Sequence, residues 1–563
     1  MTTSSKETAL VTYAILQGKE VYHIYSLKRF LVLFLFLLTF VIPTRILAHA
    51  SLTDSVPEQN SQQPHSPKEI RLTFNERLEK GNVSIKLFNA DGESIIPANA
   101  LTDTNQKQIY LPLSPLENGY YTVSYKVISA DGHPISGSYI FTVGETTEAP
   151  PIQGGLASKG HHFNHNGLSD FTLEQLLHYV ARIVYYMSLL TLVGWIFWMT
   201  VQRESTMQEI HALDLQYSVM LQRIFFLMHV VLIGTQLPNL LVEWQLSNIL
   251  SLFSGTTIGL SWLAMLGLSL FGFLFLHRVK WFDMLWLILM IATKSFSGHA
   301  SATDSPLQTV LLDIVHLLSA AVWVGGILYI LVHWQKSRYH AKKFIPYFSD
   351  VALASLVILI LTGTLLTLIF LPDLSYLIHT EWGILLLVKS GLVLLVLVVG
   401  SLLRYDLRKK NMSSMQKLLG LDSTLMTLII VVVGLFTYMN PLPTNEPLRW
   451  QVNNERLHVA VSITPNQVGT NKMKVSVWLP HQVGKPKNVQ LLVISQDTDI
   501  PPIDVPIIPV QTNSEQNVIP GFSPYTYEKE GPYLPFAGKW TIQVRVMDPS
   551  DSEIIFNKEF VIY

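Results

Sequence analysis

The pattern of apolar and polar positions divides the chain into a polar first part, a long apolar middle and a polar last part. In residues 49–146, short runs such as 68–74 and 120–128 alternate apolar and polar side chains with the period of a half-buried strand. The tripeptides Ala-Asp-Gly at 90–92 and Glu-Asn-Gly at 117–119 are turn signals. This part is therefore predicted to be a small antiparallel β-domain of the sandwich or barrel type.

The middle part, residues 171–441, consists of apolar segments that are long enough to cross a bilayer as helices. We predict a bundle of eight transmembrane helices, and thus a multidomain membrane protein that contacts the lipid bilayer. The eight spans are 172–200, 219–242, 251–276, 281–297, 308–333, 351–372, 382–403 and 421–440.

The last part, residues 442–563, returns to short alternating runs separated by proline and glycine. This pattern predicts a second all-β domain, and an immunoglobulin-like sandwich is the expected fold. Residues 147–170 contain several glycine, proline and histidine residues and are predicted to be a linker between the first β-domain and the helices.

The N-terminus has the features of a secretion signal. Lys28 and Arg29 precede the apolar stretch 30–42, and the small residue Ala48 lies just before His49. We predict a signal peptide over residues 1–48, so that His49 becomes the first residue of the mature chain. An uncleaved membrane anchor is the alternative.

The loops differ sharply in positive charge. The loops after the first, third, fifth and seventh spans carry the basic residues, whereas the loops near 243–250, 298–307 and 373–381 carry none. Since cytoplasmic loops are enriched in Lys and Arg, this pattern places both β-domains outside the cytoplasmic membrane. The basic residues are Arg203, Arg278, Lys280, Lys336, Arg338, Lys342, Lys343, Arg404, Arg408, Lys409, Lys410 and Lys417.

Composition limits the chemistry. Hydrophobic residues make up 49% of the chain and charged residues 14%, and the net charge of −1 gives no reason to expect a nucleic-acid partner. The sequence contains no cysteine, which excludes disulfides and thiolate metal sites. Any metal must therefore be bound by His, Asp, Glu, Met or backbone atoms.

A candidate metal site lies in the first domain. Asp131 and His133 are two residues apart, so in an extended chain they point to the same side. A mature N-terminal His49 would add its imidazole and its free α-amine as a bidentate chelate. Nitrogen and oxygen donors without sulfur suit Cu(II). An ordinary Asp-Gly-His turn with an exposed histidine is the alternative for the pair alone.

The first domain resembles the CopC family of copper-binding proteins. The resemblance rests on "AHASL", "PKEIRLTFNERLE" and "ENGYYTVSYKVISADGHPISGSYIFTVG". It implies a Greek-key β-barrel and a Cu(II) site formed by His49, Asp131 and His133. The methionine-rich Cu(I) region of that family is missing here, which favours a site for Cu(II) alone.

The apolar part contains ionisable residues, which are costly inside a membrane and usually face an interior or a water path. We predict a copper path toward the outer side and the middle of the bundle, in which methionines such as Met187 and Met290 could also bind Cu(I). Histidines bonded to carbonyls or headgroups, and a haem held between two helix histidines, are the alternatives. The path residues are His299, His316, Asp313, His178 and His229.

The middle part resembles the CopD family of copper-resistance membrane proteins through "SFSGHA", "DIVHLLSAAVWVGGI", "FSDVALASLVILILTGT" and "TEWGILLLVKSG". The last part resembles the YtkA-like domain through "VSITPNQVGTNKMKVSVWL" and "PFAGKWTIQVRV". This order of domains resembles the YcnJ-like copper importers, which are CopC–CopD fusions. The resemblance implies copper transport across the membrane.

The leading hypothesis is therefore copper acquisition and transport, without catalysis, in which the first domain captures Cu(II) and delivers it to the membrane domain. A copper chaperone outside the membrane is an expected partner. The alternatives are a copper resistance, storage or sensor protein without transport, a haem-binding membrane protein, and a copper-dependent oxidase. The oxidase is disfavoured because Asp131, as a further copper ligand, would occupy the coordination position that oxygen needs.

Overall fold

The structure is a computed structural model that describes most of the chain. The predicted signal peptide 1–48, His49 and the linker 147–170 lie outside the described residues. Those residues are 52–59, 61–74, 77–95, 100–144, 173–202, 208–241, 244–303, 306–371, 374, 376–409, 412–437, 439, 447–453, 457–498, 500–510 and 521–562.

The first domain is all-β, as predicted, and its strands form two sheets with the orders β1-β3-β7-β6 and β2-β9-β8-β4-β5. Apolar side chains at every second position, such as Ile70, Leu72 and Phe74 of β3, are buried between the sheets. The strands are β1 Leu52–Val56, β2 Gln62–Gln63, β3 Glu69–Phe74, β4 Ser84–Phe88, β5 Ser94–Ile95, β6 Leu101–Thr102, β7 Gln108–Pro112, β8 Gly119–Ile128 and β9 Pro134–Val143.

The middle part is helical, and most of its helices extend beyond the apolar runs that predicted them. The third predicted span is divided at Thr256 into two helices. The Thr256 hydroxyl caps the helix that begins at Thr257 by accepting a hydrogen bond from the Gly259 amide. The helices are α1 Leu173–Gln202, α2 Gln208–Leu240, α3 Leu246–Gly255, α4 Thr257–Phe275, α5 Lys280–Ser295, α6 Pro306–Lys336, α7 Arg338–Phe370, α8 Tyr376–His379, α9 Glu381–Lys409 and α10 Met412–Phe436.

Among the described residues, seven helices are long and apolar enough to cross a membrane, so the predicted count of eight is not confirmed. The helix that is missing from this count is α5, which corresponds to the predicted span 281–297. It has only 16 residues. At 1.5 Å per residue α5 is about 24 Å long, short of the roughly 30 Å hydrocarbon core.

Helix α5 nevertheless reaches from one end of the helical region to the other. Near its start, Asp283 accepts a hydrogen bond of 3.5 Å from Thr200, which lies at the end of α1. Just beyond its last residue, His299 contacts the first β-domain.

The first β-domain is docked on the end of the helical region where α2 ends and α4 begins. The Asn82 side chain donates a hydrogen bond of 3.2 Å to the carbonyl of Leu240, the last residue of α2, and the Lys126 side chain donates one of 2.6 Å to the carbonyl of the next residue, Leu241. Ile128 packs with Leu240 and Leu241 in a buried apolar cluster that is completed by Leu252, Ile258 and Trp262. Apolar packing and hydrogen bonds thus hold the domain at this end.

The last domain is also all-β and consists of two sheets with the orders β10-β11-β12-β16-β15 and β14-β13-β17-β18. These orders differ from the usual immunoglobulin arrangement, so the sandwich is observed but the immunoglobulin-like fold is not confirmed. The Arg449 side chain donates a hydrogen bond of 3.3 Å to the Gln59 carbonyl of the first domain. The strands are β10 Leu448–Asn453, β11 His458–Thr464, β12 Gly469–Pro480, β13 Asn488–Ser495, β14 Ile503–Val505, β15 Ile508–Val510, β16 Phe522–Leu534, β17 Gly538–Met547 and β18 Glu553–Ile562.

Candidate metal centre

The turn between β8 and β9 places Asp131 and His133. It is closed by hydrogen bonds of 2.9 Å from the Ser129 amide to the His133 carbonyl and of 2.8 Å from the Gly132 amide to the Ser129 carbonyl. Gly132 has a φ of +87°, a left-handed conformation that favours glycine. The prediction of an extended chain at this position is wrong, because the segment forms a tight turn. The two side chains still converge because the turn folds them toward each other.

Three potential ligands meet at this turn, two from the first β-domain and one from the helical region. The two carboxylate oxygens of Asp131 lie 3.2 Å from His133 Nδ1 and 3.2 Å from His299 Nδ1. The imidazole rings of His133 and His299 are stacked, with centroids 5.2 Å apart and an angle of 7° between their planes. Among the described residues, these three side chains form a group whose ligand atoms all lie within 4.8 Å of one another.

The site is shielded from solvent and carries negative charge. Asp131 is only 5% exposed, and a buried carboxylate requires nearby positive charge or hydrogen bonds. Burial lowers the pKa of His299, while the hydrogen bond and the charge of Asp131 act in the opposite direction. A neutral imidazole is the form that binds metal ions. The group of a carboxylate and two imidazoles therefore fits a first-row metal cation such as copper.

A short 3-10 helix, His299–Ser301, holds His299 in place between α5 and α6. The Ser301 hydroxyl donates a hydrogen bond of 2.7 Å to the Gly298 carbonyl. The Thr309 hydroxyl, from the first turns of α6, donates one of 2.5 Å to the Ala300 carbonyl. These bonds fix the backbone on both sides of His299, so its ring is presented to the β-domain by ordered structure.

The remaining predicted path residues lie inside the helical region and do not belong to this three-residue group. His178 of α1 is buried, and its Nδ1 lies 3.3 Å from the Thr235 hydroxyl of α2. Asp313 of α6 is half-buried, and the charges of Lys294 and Lys389 lie close enough to interact with it.

Two of these histidines have a nitrogen lone pair that their hydrogen bonds leave available. The Thr362 hydroxyl donates its hydrogen to the Ile358 carbonyl at 2.7 Å. It must therefore accept the hydrogen bond of 2.8 Å from His316 Nδ1, which leaves the lone pair of the His316 ring on Nε2. His229 Nε2 faces the Trp262 carbonyl at 3.3 Å and must donate. Its buried Nδ1 has no hydrogen-bond partner among the described residues. Both histidines could therefore bind a metal ion.

The contact between Asp131 and His299 is the feature that sequence reasoning missed. Both residues were identified as candidate ligands, but they were assigned to separate sites in separate domains. They are 168 positions apart, and no local pattern in either segment indicates that the two segments meet. The available signal was the charge pattern, which places the loop near 298–307 on the same side of the membrane as the first β-domain but does not pair individual residues.

Comparisons with known proteins match both the β-domain and the helices. A family model for the CopC domain matches residues 52–144, and a family model for copper resistance protein D, CopD, matches residues 342–436. Asp131 and His133 lie within the first match, whereas His299 lies between the two matched segments.

Individual relatives extend this similarity. The copper transport protein CutJ of Bacillus subtilis (strain 168) is 25% identical over 502 residues, which cover 83% of this chain and 88% of that protein. Protein YobA of Escherichia coli (strain K12) is 37% identical over 110 residues, which cover 19% of this chain and 88% of that protein. The crystal structure of CopC from Methylosinus trichosporium OB3b aligns with this chain at 28% sequence identity and a TM-score of 0.17. The alignment covers 18% of this chain and 99% of that chain.

Proposed function

Because the chain belongs to the CopC family and carries a CopD domain in the same polypeptide, we propose that it imports copper across the cytoplasmic membrane. The first β-domain captures Cu(II) outside and delivers it to the helical domain. The similarity to CutJ supports this proposal because it extends over most of both chains. Neither of the two matched families is named for a catalytic activity, so transport is preferred to catalysis.

One observation carries the proposal: His299 of the helical region lies 3.2 Å from Asp131, the candidate copper ligand of the β-domain. An ion bound by Asp131 and His133 is therefore already within reach of a ligand on the membrane domain. Transfer then requires an exchange of ligands at one place and no movement of a loaded domain. His49, as the mature N-terminus, would complete the Cu(II) site with its amine and imidazole.

From this shared site the ion would pass inward along the helical region. Asp313 and His316 follow on α6, and His178 and His229 lie on α1 and α2. The lone pairs on His316 Nε2 and His229 Nδ1 are the next available donors. The membrane potential favours entry of a cation by about 2.3 kcal/mol per charge per 100 mV, so import requires no nucleotide.

We also propose that α5 counts as a membrane crossing, which gives eight crossings in total. Its two ends contact opposite ends of the helical region, as Asp283 and His299 show. An even number of crossings returns the C-terminal domain to the side of the first domain, and the hydrogen bond from Arg449 to Gln59 agrees with this placement. Both β-domains would then lie outside.

Copper accumulation in cells tests the proposal. Cells that lack other copper importers would express the wild type, Asp131→Asn, His299→Ala or His316→Ala at matched levels, and total cell copper would be measured by mass spectrometry. We expect the wild type to raise cell copper and each of the three variants to lower uptake severalfold. His458→Ala, in the C-terminal domain, is the control and should transport like the wild type.

The possible outcomes separate the candidate functions. If the wild type lowers cell copper, the direction of transport is wrong. If copper in the purified protein depends on Asp131 but cell copper does not change, the protein stores or senses the ion. Equal uptake by the wild type and the His299→Ala variant would contradict transfer through the shared site.

A further inference from the structure

A cavity of about 90 Å³ lies between α6, α7, α9 and α10. It is close to the start of α7, which follows directly on the end of α6. Since α6 begins beside the short 3-10 helix of His299, this cavity lies toward the opposite end of the helical region from the docked β-domain. Most of its wall is apolar, and the polar side chains that line it are Ser349, Ser401, Arg404 and Asp422.

Asp422 of α10 places a carboxyl group against this cavity. Its side chain is 5% exposed, and its Oδ1 is buried and has no hydrogen-bond partner among the described residues. Asp422 lies ten residues beyond Met412, the first residue of α10, which corresponds to about 15 Å along the helix. The carboxyl group is therefore well inside the apolar layer, where an ionisable side chain is rare and usually functional.

The positive charge in the cavity wall is engaged elsewhere. Of the described residues that line the cavity, only Arg404 and Asp422 are ionisable. The Arg404 guanidinium donates hydrogen bonds to the Ser349 carbonyl at 2.9 Å and to Asp350 Oδ1 at 2.7 Å. The Asp350 side chain is 73% exposed, so this ion pair lies at the surface of the bundle. A buried carboxylate without a partner costs several kcal/mol, which favours the neutral, protonated form of Asp422.

The cavity gives a proton a route between Asp422 and the surface. At its mouth, Leu353 of α7 is 43% exposed and Ser401 of α9 is also exposed. One water molecule needs about 10–15 Å³ of such space, so the cavity has room for several, which can bond to Ser349, Ser401 and Arg404. The mouth is close to the end of α9, whose basic last turn is predicted to be cytoplasmic. A proton can therefore exchange between Asp422 and the cytoplasmic side.

The inner end of the cavity approaches the proposed copper path. Trp323 lines the cavity and lies on α6 seven residues, or about two turns, beyond His316. Residues at this spacing share one face of a helix. A cation that leaves His316 toward the cytoplasm therefore comes nearer to Asp422, in a region of low dielectric where charges interact strongly.

We propose that Asp422 is a proton-binding site, which holds a proton in the copper-free protein and releases it when a copper ion approaches. The O–H bond of the carboxyl group breaks, the proton leaves through the cavity water, and the carboxylate offsets one charge of the cation. When the ion leaves the helices, a proton returns from the same water and the O–H bond forms again. This exchange changes no oxidation state and needs no bond between copper and Asp422. The inference rests on the proposed transport function, because it assigns a step in the passage of the ion.

Chemical labelling tests the proton on Asp422. Dicyclohexylcarbodiimide is a lipid-soluble reagent that converts protonated carboxyl groups in apolar surroundings into stable acylureas. The purified full-length protein in lipid nanodiscs would be treated with and without Cu(II), and the labelled residues would be located by peptide mass spectrometry. We expect Asp422 to be labelled in the copper-free protein and Cu(II) to lower this labelling severalfold. Asp283 is the internal control and should stay unlabelled, since its two buried oxygens accept hydrogen bonds from the His277 amide and the Thr200 hydroxyl.

Absence of the label from Asp422, or labelling that Cu(II) does not change, would overturn the proposal. Copper uptake by two variants is a second measurement. Asparagine has the size of the protonated carboxyl group but cannot ionise, so uptake should fall severalfold in Asp422→Asn and recover in Asp422→Glu. Uptake by Asp422→Asn at the rate of the wild type would also overturn the proposal. The labelling uses purified protein, so failure of this site is distinguishable from failure of the transport function, which unchanged cell copper with the wild type would show.

Discussion

Asp131 is the residue that connects the candidate ligands of the first β-domain and of the helical region. Its two carboxylate oxygens each lie 3.2 Å from a different histidine, one on its own turn and one on the helical region. A single carboxylate that pairs with one imidazole of each domain, or shares a cation with both, fixes the distance between the two domains. This role requires the Asp131 side chain to be charged and buried. An ordinary turn on the protein surface would not require either property.

The turn geometry gives a prediction for Gly132. Gly132→Ala should weaken copper binding, because the left-handed φ of +87° is costly for alanine and its Cβ would lie 3.1 Å from the Ile258 side chain. Gly92→Ala is the matched control, with a φ of +78° and no atom within 4 Å. Both should lose about 1–2 kcal/mol of domain stability. Copper titration with parallel thermal unfolding would show whether only Gly132→Ala loses affinity.

A prediction for His49 follows from the sequence alone. His49→Ala should weaken Cu(II) binding by the mature protein roughly tenfold or more, because it removes an imidazole from the predicted chelate. His65→Ala, at an exposed position of the same domain, should bind Cu(II) like the wild type. Equal affinities in competition titrations of the two variants would remove His49 from the site.

The sequence predicted the local part of the candidate site but not the contact between the two domains. Asp131 and His133 were predictable because their spacing is local, whereas the meeting with His299 depends on how two domains dock. The first turns of α2 were not predicted, because the apolar run that predicted this helix begins at 219, while the helix begins at Gln208.

At the scale of elements, close contact between α1 and α6 organises the helical region. Gly194 and Gly325 meet there, and a Cβ on Gly194 would lie 1.9 Å from the Ala321 carbonyl oxygen. Small residues at helix crossings let backbones approach in this way. The sequence contains Gly325 and Gly326 side by side, but the partner Gly194 on α1 is not predictable from a lone glycine.

This crossing gives a stability prediction. Gly194→Ala should lower the thermal stability of the detergent-purified protein strongly, because the two helix backbones must separate to admit a methyl group. Gly267→Ala is the control on α4, where a Cβ would meet nothing within 4 Å. That variant should be neutral or gain about 1 kcal/mol of helix propensity. Similar unfolding temperatures for the two variants would contradict the close crossing.

Docking of the first domain depends on Glu79, which accepts a hydrogen bond of 3.1 Å from the Thr257 amide at the start of α4. Glu79→Ala should reduce protection of that amide in hydrogen exchange, whereas Glu79→Gln keeps an acceptor and should not. Burial raises the pKa of Glu79, although the hydrogen bond with Thr257 opposes this change.

The raised pKa has a consequence for pH dependence. A carboxyl whose pKa is raised by docking takes up a proton when the domain docks near that pKa. Docking should therefore be strongest below the ordinary pKa of the carboxyl and should weaken as the pH rises through the raised pKa. Protection factors of the Thr257 amide, measured at several pH values, should show this trend in the wild type. The trend should be absent in Glu79→Gln, and its persistence there would assign it to another group.

At the scale of the whole molecule, the absence of cysteine from the sequence makes the orientation directly testable. Single substitutions Asp91→Cys and Ser550→Cys lie on exposed turns of the two β-domains, and Arg338→Cys lies at the start of α7. In intact cells, a membrane-impermeant maleimide should label the first two variants, and it should label Arg338→Cys only after lysis. Labelling of Ser550→Cys only after lysis would indicate an odd number of crossings.

The site shared by Asp131 and His299 also makes copper affinity and domain docking two expressions of one free energy. An ion that binds both domains at once stabilises the docked arrangement by RT ln(1 + [L]/Kd). By reciprocity, whatever loosens the docking must weaken copper binding by the same factor. Release of the ion inward would thus leave the β-domain held only by its protein contacts, so the copper occupancy of the protein would set how tightly its two halves are joined.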